Sequence, residues 1–412
     1  MTRELTGSMC SRAFSILLLC IIGLPLSAPG QTNQTSREGQ LDLVGFPLLS
    51  FTSDRGTGYG AYVAGFWRAE QGARVPYKAS VGGQFYETTG GYAFHKFLVD
   101  IPNLLDSGIR LELDSGYELW DSAWYFGVGN HLPRFSPSDV DERFYTYDSK
   151  SLWIVPKLRL PLDGGFWLFT TGLYRQTSIA TYRDTLLDSD RPTGVEGGSL
   201  SQLQLGLMYD KRDREPDTHR GIFAELSVRF AHHLTGSDYT LFGFNATHRH
   251  WVPLMDAGRL TFAYRFGLDY VSGDVPFFHQ HILGGSQQVD VGGNVMLRGF
   301  PNGRFRGNWT AYNNTELRWR MSRFQLSAKR EIQALLVPFV DVGRVWLESE
   351  TFDLAPIHVS VGTGLRFVYN SVFIMRFDVA TATEAFATES APNKVSNHRQ
   401  VLGVYAIVNH PF

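Results

Sequence analysis

Arg298 stands near the middle of a long glycine-rich stretch, His281 to Gly307, with Leu297 before it and Gly299 and Phe300 after it. A loop of this length inside a β-rich chain usually carries function. A guanidinium bracketed by glycine and an aromatic suggests a tip folded back onto something, with the cation seeking fixed acceptors. Its rigid fork of donors can serve two carboxylates at once. Two downstream carboxylates have suitable surroundings. Glu316 alternates with Leu317 and shares the charged face of its segment with Arg318. Asp341 lies in the otherwise apolar run from Pro338 to Trp346, where a buried carboxylate needs a partner.

Other residues could do chemistry and are less well equipped for it. Histidines recur in pairs: His232 with His233, His248 with His250, and His279 with His281. His248 and His250 share a strand face and could clamp a cation. No acidic or cysteine ligand accompanies them, and near a strand end or loop histidine is at ease at a membrane interface. A lipid hydrolase would need a nucleophile with an ordered base and orienter. Ser227, and His248 near Asn245, are the nearest candidates, and neither forms such a motif. The glycine-rich stretch has no Lys-Ser/Thr ending and follows no parallel βα unit, so it is no phosphate cradle. We therefore expect no enzymatic activity, no cofactor and no metal.

The elements that must position Arg298 are strands. Leu260, Phe262, Tyr264, Phe266, Leu268 and Tyr270 form one face of a segment whose other face is Thr261, Ala263, Arg265, Gly267 and Asp269. Period two means a strand. Bulky apolar groups on one side and Arg, Asp and Gly on the other suit a membrane barrel, apolar outward and polar inward. The division recurs at Ile222–Phe230, at Val359–Phe367, and at Phe373–Val379, where Phe373, Met375, Phe377 and Val379 oppose Arg376 and Asp378. Inner charges of both signs imply a lumen cross-linked by ion pairs.

Segments of this kind lie near 42–53, 56–69, 75–88, 90–101, 108–120, 142–160, 165–180, 200–212, 220–234, 237–253, 258–272, 308–321, 329–347, 356–369, 371–383 and 399–412. That is about 16 strands, an even number, as single-chain bacterial barrels have. Connections after even-numbered strands are mostly short, and many after odd-numbered strands are long (121–141, 181–199, 273–307, 384–398). Short periplasmic turns and long outer loops produce this asymmetry and put the N-terminus on the periplasmic side. The fold expected is an all-β transmembrane antiparallel barrel over 41–412, with the glycine-rich outer loop folded inward.

Composition agrees. Aromatics make up 14% of the chain and there are 42 glycines, as girdled barrels require. The formal net charge of −2, without a polybasic tract, argues against nucleic acid as a partner. At the N-terminus Arg12 precedes an apolar run from Ala13 to Leu24. Pro25 follows, and Ala28 and Gly30 suit a cut before Gln31. We read residues 1–30 as a signal peptide, because the run is too short to span a membrane. Leu19 is too large to precede a lipidated Cys20. Both cysteines, Cys10 and Cys20, leave with this segment, so the mature chain has no disulfide and no thiol nucleophile. Residues 31–40 form a short periplasmic spacer.

The chain resembles the barrel domain of the BamA/TamA superfamily of outer-membrane assembly and translocation proteins, the bacterial surface antigens. Four segments carry the likeness. Leu297-Arg298-Gly299-Phe300 looks like the family's Val-Arg-Gly-Phe/Tyr loop signature, and Pro338–Trp346 like its Asp-x-Gly strand motif. Tyr209–Gly221 looks like its Asp-x-Arg-Asp…Pro…Gly strand-turn-strand motif, and Val361–Val379 like its penultimate hairpin. The resemblance implies that Arg298 projects from an inward-folded sixth outer loop and binds Glu316 and Asp341 on the inner wall. It also implies a seam between first and last strands that opens toward lipid. There Gly403 could loosen the last strand, Tyr405 lies beside it, and Phe412 ends the chain as an insertion signal. Pro411, unusual in a closing strand, removes a hydrogen-bond donor.

Family members that insert or translocate proteins carry periplasmic POTRA domains ahead of the barrel. The 31–40 spacer leaves no room for one, so handoff by such domains is expected to be absent. The function expected is a non-enzymatic role in outer-membrane biogenesis: assembly, insertion or translocation of protein or lipid. The partners expected are outer-membrane lipid and periplasmic or outer-membrane proteins, with a monomer favoured. The competing readings are a passive or gated pore, a surface receptor, and an outer-membrane lipid hydrolase.

Overall fold

The structure, a computed structural model, describes residues 39–52, 56–70, 73–130, 143–287, 289–327, 330–354, 356–371, 373–382 and 402–408. The expected signal peptide, Pro411 and Phe412 lie outside the described residues.

Among the described residues, sixteen antiparallel strands pair in chain order as one sheet. They are β1 (Leu41–Thr52), β2 (Gly56–Arg68), β3 (Tyr77–Thr88), β4 (Tyr92–Leu104), β5 (Ile109–Trp124), β6 (Thr146–Pro161), β7 (Phe166–Ala180) and β8 (Gly198–Asp210). There follow β9 (Gly221–Ala231), β10 (Leu241–Pro253), β11 (Leu260–Gly273), β12 (Trp309–Ser327), β13 (Arg330–Trp346), β14 (His358–Tyr369), β15 (Phe373–Ala382) and β16 (Leu402–Val408). Alternation drives the architecture. In β11 Thr261, Ala263, Arg265, Asp269 and Val271 are buried, while Phe266 stands exposed. In β9 Glu225, Ser227 and Arg229 are buried, and Leu226, Val228 and Phe230 face out. The polar face is the inside, as membrane barrels require.

Several strand ends differ from expectation: β5 runs on to Trp124, and β6 and β10 begin only at Thr146 and Leu241, but the largest shift is in β12. β12 runs on to Ser327, past residue 321, through a register shift between Arg320 and Ser322. An extra residue there lets a long strand bend without ending. Phe373 does not join the outward face: it is buried and stacks on Phe46 of β1, with ring centroids 4.1 Å apart. At the start of β15 the aromatic is better placed against another ring than against lipid.

β1 and β16 come within contact distance of each other, but no hydrogen-bonded ladder joins them among the described residues. The long-loop mouth is filled by an apolar cluster. Leu186 and Leu187 of the helix α1 (Leu186–Asp190) pack there with Tyr125, Tyr147, Phe277 and Phe278. Phe277 meets Tyr125 and Tyr147 edge-on at 5.4 and 5.2 Å, a favoured aromatic geometry.

Candidate functional site

The glycine-rich loop enters the lumen and is tied to the wall along its course. The backbone N–H of Gly284 donates to Asp269 at 2.9 Å, and that of Ser286 to Glu225 at 3.2 Å. Asp269 also takes a two-pronged pair from Arg229, at 2.8 and 2.6 Å. A Cβ on Gly284 would collide with the Arg229 guanidinium, so glycine permits this close approach.

At the tip the chain reverses. Leu297 takes φ 52° and Gly299 φ 104°. Left-handed backbone at a leucine is costly and persists only where the surroundings hold it. They do. Leu297, Met296 and Phe300 are almost fully buried, and the Leu297 side chain lies against Gly343, where a Cβ would come within 3.0 Å of it. Phe300 packs edge-on to Phe305 and His358, at 5.2 and 5.8 Å.

This packing aims Arg298 into the wall. Its Nε and Nη2 donate to the two oxygens of Asp341 at 2.8 and 2.7 Å, and its backbone N–H reaches Asp341 Oδ2 at 3.0 Å. Its Nη1 donates to Glu316 at 2.8 Å and to Asp378 at 3.2 Å. The guanidinium lies over the Phe339 ring, 3.4 Å from its centroid. Arg298, Glu316, Asp341 and Asp378 have side chains with 0% exposure, so solvent screens none of these pairs. Further arginines complete the hub. Arg318 and Arg366 reach Glu316 at 2.9 and 2.8 Å, and Arg376 reaches Asp378 at 3.2 Å. Four guanidiniums thus share three carboxylates. Removing one partner would leave charge buried and uncompensated, which typically costs about 3–5 kcal/mol.

The tip also touches the last strand. The backbone N–H of Gly299 donates to the Tyr405 hydroxyl at 2.9 Å. The Tyr405 ring passes over Gly403, where any Cβ would clash with it. Gly403 therefore seats the tyrosine. Together Arg298 and Gly299 bind the loop to β12, β13, β15 and β16, the wall next to the β1–β16 junction.

The sequence-derived residues Leu297, Arg298, Gly299, Phe300, Glu316 and Asp341 come together at this hub, joined by Gly403 and Tyr405. Phe412 lies outside the described residues. Sequence reasoning missed Asp378, Arg366, Arg318, Arg376 and Phe339 as hub members. Parity placed the charged four on the inner wall, but parity alone does not say which neighbours meet across staggered strands.

The alternative sites fare differently. His248 and His250 lie inside β10 and face outward, not at a strand end or in a loop. There the Tyr264 hydroxyl stands 3.4 Å from each ring. Asn245 and Ser227 are buried on the opposite, inner face, so His248 can partner neither in hydrolysis. Ser227 instead accepts from Gln204 at 3.0 Å.

A domain of the Omp85 superfamily matches residues 80–393. Among solved structures, BamA from Haemophilus ducreyi lacking POTRA domains 1-3 is 16% identical with a TM-score of 0.52, over 99% of this chain and 80% of that one. CdiB from Escherichia coli is 15% identical with a TM-score of 0.51, over 91% of this chain and 63% of that one. This chain therefore spans less than two thirds of the CdiB chain. At these identities the likeness is one of fold. No curated protein matches the chain in sequence.

Proposed function

Because the chain belongs to the Omp85 superfamily, we propose that it works in the outer membrane as a non-enzymatic biogenesis factor, moving protein or lipid at the junction of β1 and β16. The observation that carries this reading is the attachment of the loop tip to both kinds of wall. Arg298 fixes the tip to β12, β13 and β15, and Gly299 holds Tyr405 of β16. The hub thereby keeps one flank of the junction rigid. The other flank, β1, meets β16 without a ladder among the described residues and is met at one end by the Phe46–Phe373 stack.

An unpaired strand edge presents free N–H and C=O groups and can template another strand. Parting of β1 from β16 would open the lumen toward hydrocarbon, so that a polar lipid head could pass there while its tails stay outside. The Omp85 superfamily lends the general outer-membrane role by analogy only. A steady pore is the weaker reading, because the loop occupies the lumen and an apolar cluster fills one mouth.

The test is a disulfide lock. With Cys10 and Cys20 replaced, cysteines introduced in β1 and β16 would join the two strands on oxidation. In cells depleted of the native protein, the locked barrel should fail to restore the outer-membrane permeability barrier until a reductant is added. Full restoration by the locked form would remove the junction from the mechanism. A large steady single-channel conductance would favour the pore.

A further inference from the structure

The short-turn mouth holds a second ionic cluster that the loop hub does not explain. The connection between β8 and β9, residues 211–220, folds inward across this mouth. At one end of the crossing Glu215 sits among three guanidiniums from three elements: Arg74 Nη2 at 3.0 Å, Arg110 Nη1 at 3.0 Å and Arg212 Nη2 at 2.8 Å. At the other end Asp217 receives Arg320 of β12 at 2.5 Å and meets the His219 ring at 3.0 Å. Gly258, in the turn after β10, lies against that ring. β5 and β12 stand far apart in the strand order of the sheet, so the turn ties distant parts of the wall together.

A cavity of about 130 Å³ adjoins Glu215. Arg74, Arg110 and Arg159 supply its cationic side, and Val75, Pro102 and Trp167 its apolar side; Asp210 also lines it and pairs with Arg74 and Arg212, and Arg110 pairs with Asp100 besides Glu215. Arg74 Nε is buried and makes no hydrogen bond among the described residues. Burial would raise the Glu215 carboxyl. Arg212, Arg110, Arg159 and Arg74 outweigh it and hold the group well below the usual carboxylate range. Glu215 is thus an anion seated in an arginine cradle and carried on the β8–β9 turn.

We propose that this cradle is a receptor for a phosphate group, which takes the place of Glu215 and releases the turn from the mouth. Phosphate offers more acceptor oxygens and more charge than a carboxylate, and planar guanidiniums bind it in pairs of parallel hydrogen bonds. The apolar wall beside the arginines favours a phosphate attached to acyl chains, an anionic lipid head, over the free ion. The proposal goes beyond the seam reading and does not require the seam to open.

The experiment uses the full chain in octyl glucoside, a phosphate-free amphiphile, with Cys10→Ala, Cys20→Ala and Thr218→Cys. Thr218 is 2% exposed, so the introduced thiol reports on the turn. Dihexanoyl phosphatidic acid should raise the rate of maleimide labelling about tenfold, and Glu215→Gln should raise it without ligand. Arg110→Gln should remove the lipid response. If that variant loses its compact gel mobility, Arg74→Gln, in the turn before β3, makes the same test. An equal response to inorganic phosphate would assign the cradle to the free ion. No response to either probe, or an unchanged response in both arginine variants, would overturn the proposal. Neither result bears on the disulfide lock.

Discussion

Two arginine-carboxylate clusters line the same barrel, and they differ in access to water. Around Arg298 the paired side chains have 0% exposure. Around Glu215 exposure runs from 11% for Arg110 to 35% for Arg74. The first is closed on all sides by Leu297, Phe300 and Phe339, and its partners come from strands that cannot move independently. The second is tied partly to two turns. Burial makes the same chemistry a brace in one place and leaves it exchangeable in the other, because attraction between charges is weakened where water and salt reach them.

The largest effect should come from breaking the brace. Arg298→Ala leaves three carboxylates short of a cation. It should cost about 3–5 kcal/mol, read as a fall in the temperature at which the barrel loses its compact gel mobility. Glu316→Ala should not add to it: the double variant should lose clearly less than the sum. Additive losses would mean that the two side chains act separately.

Gly343→Ala comes next. Its methyl would press on Leu297, which has no room to retreat, and a loss of about 1–3 kcal/mol is expected in the same assay. Tyr405→Phe removes the acceptor for the Gly299 N–H, and about 1 kcal/mol should follow. A neutral result for Tyr405→Phe would detach the loop tip from β16.

Acid sharpens the comparison. The folded-state pKa of Glu215 is depressed, so its stabilisation is present above the unfolded value of about 4.3 and is lost as pH falls below it toward the folded value. Asp217 behaves likewise: burial raises its carboxyl, and the His219 hydrogen bond and Arg320 lower it further. Protease cleavage within 211–220 should therefore rise below about pH 4, and Glu215→Gln should flatten that rise. A flat profile in the unaltered chain would sever the link between these ion pairs and closure of the mouth. The smallest effect, under about 0.5 kcal/mol, is expected for Arg191→Ala, whose partner Glu196 is exposed.

Much of this was legible in the sequence, for a physical reason. Strand parity is binary, so the run from Leu260 to Tyr270 declared its two faces outright, and Glu316 fell on the inside without ambiguity. Asp341 was legible because a carboxylate among valines has few alternatives. What parity does not carry is stagger. Asp378 and Arg366 were placed on the inner wall, but their meeting with Arg298 depends on how far neighbouring strands slide past each other. The turn from Arg212 to Arg220 was illegible for another reason: a charge-rich turn reads as solvated, and only the wall opposite, Arg74 and Arg110 on one side and Arg320 on the other, makes folding inward favourable. Phe373 followed the outward pattern in sequence and broke it because Phe46 stood within reach.

Amide hydrogen exchange in β16 (Leu402–Val408) after Arg298→Ala tests most directly whether the loop hub steadies the seam. We predict that exchange there and in β15 speeds up on the order of tenfold or more, while residues 211–220 keep their native rates. Unchanged protection in β16, or equal acceleration in every strand, would contradict it.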